Sequence, residues 1–270
     1  AAASPAAATP PAAAARAVAL DVRGLRKVYT GHGRVTEAIE HLTFTVDRGQ
    51  FLCLVGPSGA GKTTLLRCVA GLIEPTAGEV LLDGVRVTSP PAGMGVVFQE
   101  YGRSLFPWMT VRQNVERPLI EKGMKKAERR AAVEEALAAV GLSDSGDAHP
   151  WQLSGGMQQR VAIARALITK PKILLMDEPF ASVDAQTRMS LEDLVLRLWR
   201  EWKKSVLFIT HDIDEAVYLS DRVVVLSKGP STVKATVDIP LPRDRDQIAT
   251  KQEPLFGKLR SQVLDLVMGG

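Results

Sequence analysis

The chain has 270 residues, 46% of them hydrophobic and 24% charged, with a net charge of +4 and a pI near 9.1. Those values describe an ordinary globular chain with room for a substantial core. The lysines and arginines are scattered and form no block, so the basic balance reads as a solvated surface with some phosphate contacts rather than a nucleic-acid tract. No run approaches the ~18 apolar residues of a membrane span.

In chain order, residues 1–16 ("AAASPAAATPPAAAAR") are Ala/Pro-rich and lack bulky apolar side chains, which predicts a disordered extension or an added tail. The segment also lacks the basic start and leucine-rich centre of a secretory signal. From Val18 to Phe98 the pattern is strand-rich: "FLCLVG" (51–56) reads as a strand buried on both faces, "GEVLLDG" (78–84) ends in an Asp-Gly turn, and "GVVF" (95–98) is another buried strand. Cys53 and Cys68 lie in apolar segments with no CxxC or Cys/His cluster, which predicts buried thiols in a reducing compartment.

Between about 110 and 170 the period turns helical. "KKAERRAAVEEALAAVG" carries apolar positions at Ala127, Ala131, Ala132 or Val133, Leu137 and Val140 and stops at Gly141. Strands return at "KILLMDE" (172–178), "SVLFIT" (205–210) and "DRVVVLS" (221–227), with an amphipathic helix from Asp184 to Trp202 between the first two. Alternating short strands and helices imply a parallel sheet, hence an α/β fold. The expected division is a sheet domain over 17–99 and 165–230, a helical insertion over 100–164 and a C-terminal extension over 231–270. That extension carries a helical pattern in Leu255, Leu259, Val263, Leu266 and Val267.

"GPSGAGKTT" (56–64) matches G-x-x-x-x-G-K-[ST], follows a strand and opens a helix. Gly56, Gly59 and Gly61 let backbone N–H groups, with those of Ser58 and Thr64, converge on phosphate oxygens at a helix N-terminus. Lys62 reaches the β- and γ-phosphates and the Thr63 hydroxyl ligates Mg²⁺. This pattern in this context predicts a bound nucleoside triphosphate. "ILLMDEP" then sets Asp177 and Glu178 at the end of a buried strand, where one carboxylate organises the metal and the other polarises the attacking water. His211 and Gln99 close two further strands at the same expected sheet edge, and the Gln99 amide suits a metal or a water.

A second anion-ready glycine turn stands at "LSGGMQQR" (153–160), with Ser154 placed to cap the following helix. One nucleotide does not explain two such turns.

At this point the chain resembles the nucleotide-binding subunits of ABC transporters. The phosphate loop, Gln99, the signature "LSGGM" (153–157), "ILLMDE" (173–178), the D-loop "SVDA" (182–185) and His211 come in the family's order. Met157 and Val183 depart from the commonest family residues, glutamine and leucine. The resemblance implies a P-loop NTPase fold with a RecA-like, mostly parallel sheet core, an N-terminal antiparallel β portion and an inserted α-helical subdomain. It implies ATP with Mg²⁺ on Thr63, Gln99 and Asp177, and catalysis by Glu178, His211 and Gln99. It also implies a head-to-tail dimer in which Ser154, Gly155 and Gly156 of one protomer cover the γ-phosphate held by its partner, with Asp184 at the seam. Tyr29 matches the aromatic that stacks on adenine, although an isolated tyrosine near a strand also suits core or surface.

Phe106, Pro107 and Trp108 form an apolar patch, read either as core or as the groove that receives an integral membrane permease. The wording of "SLFPWMTVRQNV", "DEPFASVDAQTR", "THDIDEAVYLSDRVVVLS" and "PLPRDR" resembles the branch importing nitrate, alkanesulfonates and taurine. Such an importer implies a periplasmic or extracellular solute-binding protein as indirect partner, and a peripheral position on the cytoplasmic face of the bacterial inner membrane. An importer of another solute, such as hydroxymethylpyrimidine or an amino acid, shares much of this wording. A soluble ABC ATPase acting on nucleic acid would carry a coiled coil, a zinc module or a second ATPase domain, so nucleic acid is not expected as a partner.

Overall fold

Two kinds of strand pattern build the sheet of this protein, whose computed structural model describes residues 17–31 and 34–269. The Ala/Pro-rich segment expected to be disordered lies outside the described residues. Long strands with interspersed charges come first: β1 (Val18–Gly31) and β2 (Arg34–Asp47) pair antiparallel. Short apolar strands come next at β3 (Phe51–Val55), β6 (Met94–Val97), β7 (Ile173–Asp177), β8 (Ser205–Ile209) and β9 (Arg222–Leu226), with β4 (Ala77–Leu82) and β5 (Val85–Arg86) between β3 and β6. The last strand, β10 (Ser231–Asp238), completes one sheet in the order β5-β4-β1-β2-β10-β9-β3-β8-β7-β6. From β9 through β3, β8 and β7 to β6 every pairing is parallel; β5, β4, β1 and β2 form an antiparallel wing.

The parallel strands are apolar throughout because both their faces are covered. Side chains alternate sides. Phe51, Cys53 and Val55, with Leu174, Met176, Val206 and Phe208, join one core, and Leu52 and Leu54, with Ile173, Leu175, Leu207 and Ile209, join the other. Both thiols are free and buried, as the apolar context of Cys53 and Cys68 predicts.

The helices are α1 (Lys62–Val69), α2 (Tyr101–Ser104), α3 (Val111–Glu121), α4 (Lys126–Ala139), α5 (Gly155–Leu167), α6 (Ala185–Trp202), α7 (Ile213–Leu219), α8 (Ala249–Gln252) and α9 (Pro254–Met268). Helices α2 to α5 follow one another between β6 and β7. Helix α5 runs through position 164, where the insertion was expected to end, and segment 231–270 gives the sheet a strand that joins wing to core. In α9 the packed face is Phe256, Leu259 and Val263, while Leu255 is 39% exposed. Leu266 and Val267 pack partly buried against the same core, so four of the five expected positions face inward and Phe256 takes the place expected of Leu255. No helix among the described residues is long and apolar enough to cross a membrane.

Helix α3 starts where its cap dictates. Thr110 accepts from the Gln113 N–H and the Gln113 side chain takes the Thr110 N–H, a reciprocal capping box. Fully buried Asn114 then accepts from the Phe106 N–H at 2.8 Å and donates to the carbonyls of Phe106, Met109 and Thr110. Those bonds fasten the loop that carries Phe106, Pro107 and Trp108. Phe106 is half-buried, Pro107 is exposed and Trp108 is 71% exposed, its ring 5.5 Å from that of Phe106.

Candidate functional site

The sheet order alone brings the polar strand ends together. β3, β8, β7 and β6 are lateral neighbours running the same way, with Leu54 opposite Ile209, Ile209 opposite Asp177 and Met176 opposite Val97. Their C-terminal exits therefore gather at one carboxyl edge: the glycine loop after β3, Thr210 and His211 after β8, Asp177 and Glu178 at the end of β7, and Gln99 after β6. Ligands of open α/β sheets bind at such an edge.

Gly61 caps α1 in the left-handed region, at φ 70°. A Cβ there would lie 2.7 Å from the Ala38 carbonyl, so both conformation and space require glycine. The turn sends α1 off with its free N–H groups facing the loop, a cradle for anions. Lys62, only 7% exposed, donates to the carbonyls of Gly56 at 2.9 Å and Pro57 at 3.1 Å, and its ammonium lies 3.7 Å from the Glu178 carboxylate. Bound phosphates offer this buried charge a stronger set of acceptors.

Asp177 is 3% exposed and its Oδ1 has no hydrogen-bond partner. Burial raises its pKa above the usual carboxylate range, against the pull of the Thr63 hydroxyl bonded to it. A buried carboxylate oxygen left unpaired beside a threonine hydroxyl is a donor set that fits a hard cation such as Mg²⁺. Glu178 is a non-glycine residue held at φ 42°, its N–H donating to the Ile209 carbonyl at 2.8 Å. That strained backbone turns the side chain towards the edge. Its Oε2 lies 3.0 Å from His211 Nδ1 and 3.5 Å from Gln99 Nε2. One carboxylate thus meets the lysine, the histidine and the glutamine expected beside it, and the His211 side chain is 61% exposed.

Tyr29 stands on β1 with its hydroxyl 3.3 Å from the Thr64 hydroxyl, and Lys27 Nζ sits 5.2 Å from its ring centroid. Tyr29 is 40% exposed beside the phosphate loop, where an aromatic ring can stack on a planar base. Ser154 caps α5, accepting from the Met157 N–H at 3.3 Å, and Ser154 and Gly155 are exposed. Gly156 is buried against α6: a Cβ there would meet Thr187 Cγ2 at 2.4 Å. Asp184 caps α6, accepting from the Thr187 N–H at 2.9 Å. Nothing of the Ser154 turn contacts the phosphate loop through any hydrogen bond or ion pair found among the described residues.

Sequence reasoning missed the layer behind His211. Thr210 donates to Glu215 Oε2 at 2.6 Å, and Arg188 of α6 donates to Asp212 at 3.1 Å and lies 3.7 Å from Glu215. "THDIDEAVY" looks like a solvated helix start, and only the packing of α6 and β3 over it buries Glu215 to 4% exposure. Burial, reinforced by the nearby carboxylates of Asp212 and Glu192, pushes Glu215 up to about 7, from 4.5. The folded chain therefore keeps a proton that the unfolded chain has lost, and stability falls as pH rises from about 4.5 to about 7, then levels. At about 1.4 kcal/mol per pH unit the total is on the order of 3 kcal/mol. In thermal melts from pH 5 to pH 8, Glu215→Gln is expected to lose that slope relative to the native chain and to gain most at pH 8. Parallel curves would show that Glu215 titrates normally.

A family model described as ABC transporter matches residues 39–181. An uncharacterized ABC transporter ATP-binding protein of Methanocaldococcus jannaschii is 49% identical over 93% of this chain and 91% of its own length. A nitrate import ATP-binding protein, NrtD of Synechocystis, is 44% identical over 93% of this chain and 95% of its own. Among solved structures, the dimeric post-hydrolysis state of the ATP-binding cassette MJ0796, bound to ADP and phosphate, superposes with a TM-score of 0.73 at 33% identity, covering 83% of this chain and all of that one. A strand-end site built around a phosphate loop, and relatives that match it nearly end to end, lead to one conclusion: the chain belongs to the ABC transporter family, as an ATP-binding subunit that hydrolyses its nucleotide.

Proposed function

We propose that this chain powers a membrane importer of small anions of the nitrate class, with two copies closing on two ATP molecules. The observation that carries the mechanism is the convergence of Lys62, Gln99, Asp177, His211 and Glu178 on one edge, while the exposed Ser154 turn stands apart from it. A site with so little wall of its own is completed by a second protomer, whose Ser154, Gly155 and Gly156 supply N–H and hydroxyl donors to the γ-phosphate. The dimeric state of the MJ0796 cassette supports that pairing.

In this reading the N–H groups of Gly59, Gly61, Thr63 and Thr64 and the Lys62 ammonium hold the phosphates, and the Tyr29 ring stacks on the adenine. Thr63, Asp177 and Gln99 would hold Mg²⁺, which supplies charge neutralisation on the β- and γ-phosphates. Glu178 takes a proton from the water that attacks the γ-phosphorus, and the bond from that phosphorus to the bridging oxygen breaks, leaving ADP and phosphate. His211 fixes the Glu178 carboxylate through its Nδ1 contact and presents its other ring nitrogen to the γ-phosphate. ATP binds the closed pair better than the open one, so binding closes the dimer and hydrolysis releases it. The movement passes to permease subunits on the cytoplasmic face, through the loop of Phe106, Pro107 and Trp108, and a solute-binding protein delivers the anion on the far side.

The solute class rests on the likeness to the nitrate import protein. It is tested in proteoliposomes holding this chain with its permease and solute-binding protein. Nitrate is expected to raise ATP hydrolysis several-fold. Stimulation by taurine or hydroxymethylpyrimidine but not nitrate reassigns the solute, and stimulation by DNA without any permease overturns the transporter reading.

A further inference from the structure

Helix α6 touches both the signature turn and the loop that carries His211. At its start Thr187 fills the space that Gly156 leaves open, so the Ser154 turn and α6 move as neighbours. The next residue, Arg188, reaches the opposite way. Its Nη1 donates to Asp212 Oδ2 at 3.1 Å, and its Nε approaches Glu215 Oε1 at 3.7 Å without bonding. Asp212 and Thr210 flank His211 on either side in sequence. Asp212 Oδ1 caps α7 through the N–H groups of Asp214 and Glu215, and the Asp212 N–H itself donates to the Thr210 hydroxyl. The two residues that bracket His211 are therefore fixed to each other, to Glu215 and, through Arg188, to α6.

The guanidinium is only partly satisfied. Its buried Nε has no acceptor, yet a carboxylate oxygen stands less than an ångström beyond bonding range. An unpaired buried donor beside an acidic group is costly, so a small shift of α6 towards α7 would gain a charge-assisted bond. The charged and titratable groups around Glu215 are Arg188 and Glu192 from α6, Asp212 from the α7 cap and Cys53 from β3. Arg188 is the cation among them.

We propose that Arg188 is a positioning residue for hydrolysis: it couples the start of α6, pressed by the signature turn, to the loop that aims His211 at Glu178. Resting on the roles proposed above for His211 and Glu178, this adds a route by which a chain senses whether its own Ser154 turn is engaged on the partner's nucleotide. In this scheme Arg188 acts only through His211.

The test is epistasis measured in single-turnover hydrolysis with labelled ATP, alongside ATP affinity. Arg188→Ala is expected to lower the hydrolysis rate at least tenfold while ATP Kd stays within twofold. Asp212→Asn serves as a milder second variant, because its Oδ1 still caps α7 while the amide that replaces Oδ2 cannot accept from Arg188; it is expected to behave the same way. In a His211→Ala background neither change should lower the residual rate further. A purely structural role would subtract the same factor in both backgrounds, and that result overturns the proposal, as does a native rate in Arg188→Ala. If His211→Ala alone hydrolyses at the native rate, the role given to His211 fails and this coupling fails with it. If His211→Ala is impaired and Arg188→Ala is not, only the coupling fails.

Discussion

Glu178→Gln should lower ATP hydrolysis by about 100- to 10,000-fold, the range for loss of a positioned general base. ATP affinity should hold or tighten. The carboxylate stands 3.7 Å from the Lys62 ammonium and competes with phosphate for it, so an uncharged amide of the same size releases the lysine to the γ-phosphate. His211 Nδ1 and Gln99 Nε2 both converge on Oε2, and the amide keeps the shape of that contact. The variant should therefore accumulate as an ATP-bound dimer, visible by light scattering at ATP concentrations where the native chain turns over. A variant that fails to bind ATP, yet hydrolyses it at a native rate per bound molecule, would reverse the assignment of the carboxylate.

The second large effect is expected at a distance from any one phosphate loop. Ser154 is an exposed N-cap, and Ser154→Arg places a long cation where a partner's γ-phosphate region must fit. Loss of the cap alone costs about 1 kcal/mol and should appear as a modest fall in Tm. The functional loss should be far larger, at least about 100-fold in hydrolysis as the site loses several preorganised donors, with ATP binding to the single chain intact. The native chain should show specific activity that rises with protein concentration. Linear activity in the native chain with a normal variant would make "LSGGMQQR" a helix start and nothing more.

Much of the site was legible because its residues come in short windows tied to strand ends. An apolar run that ends in Asp-Glu or Thr-His states both its burial and its exit point, and the parallel order of β3, β8, β7 and β6 turns those exits into one edge. The antiparallel wing is harder to read. β1 and β2 are 14 residues each, and their charged residues pair across the ladder, as Arg26 with Glu37 at 2.7 Å, so no simple alternation marks their extent. Alanines mislead in α4, where Ala127 and Ala131 are exposed and Val133, Ala136 and Leu137 are buried. A methyl group is too small to mark a face. The layer of Arg188, Asp212 and Glu215 was illegible for a different reason. Its members are polar and far apart in the chain, and only tertiary packing makes them an enclosed cluster.

The slab formed by β3, β7 and β8 is packed on both faces, each residue of these strands being buried. Interiors at that density are nearly incompressible. The slab is then an anvil: it cannot take up the work of a reaction at its rim, since any flexing would open voids in two cores at once. The stroke has to leave through parts that rest on the slab without being woven into it. Helices α5 and α6 answer that description, each starting at a capped turn and abutting the other where Gly156 meets Thr187. A glycine at that bearing keeps two levers close enough to push on one another, and a single added methyl group there would act as grit.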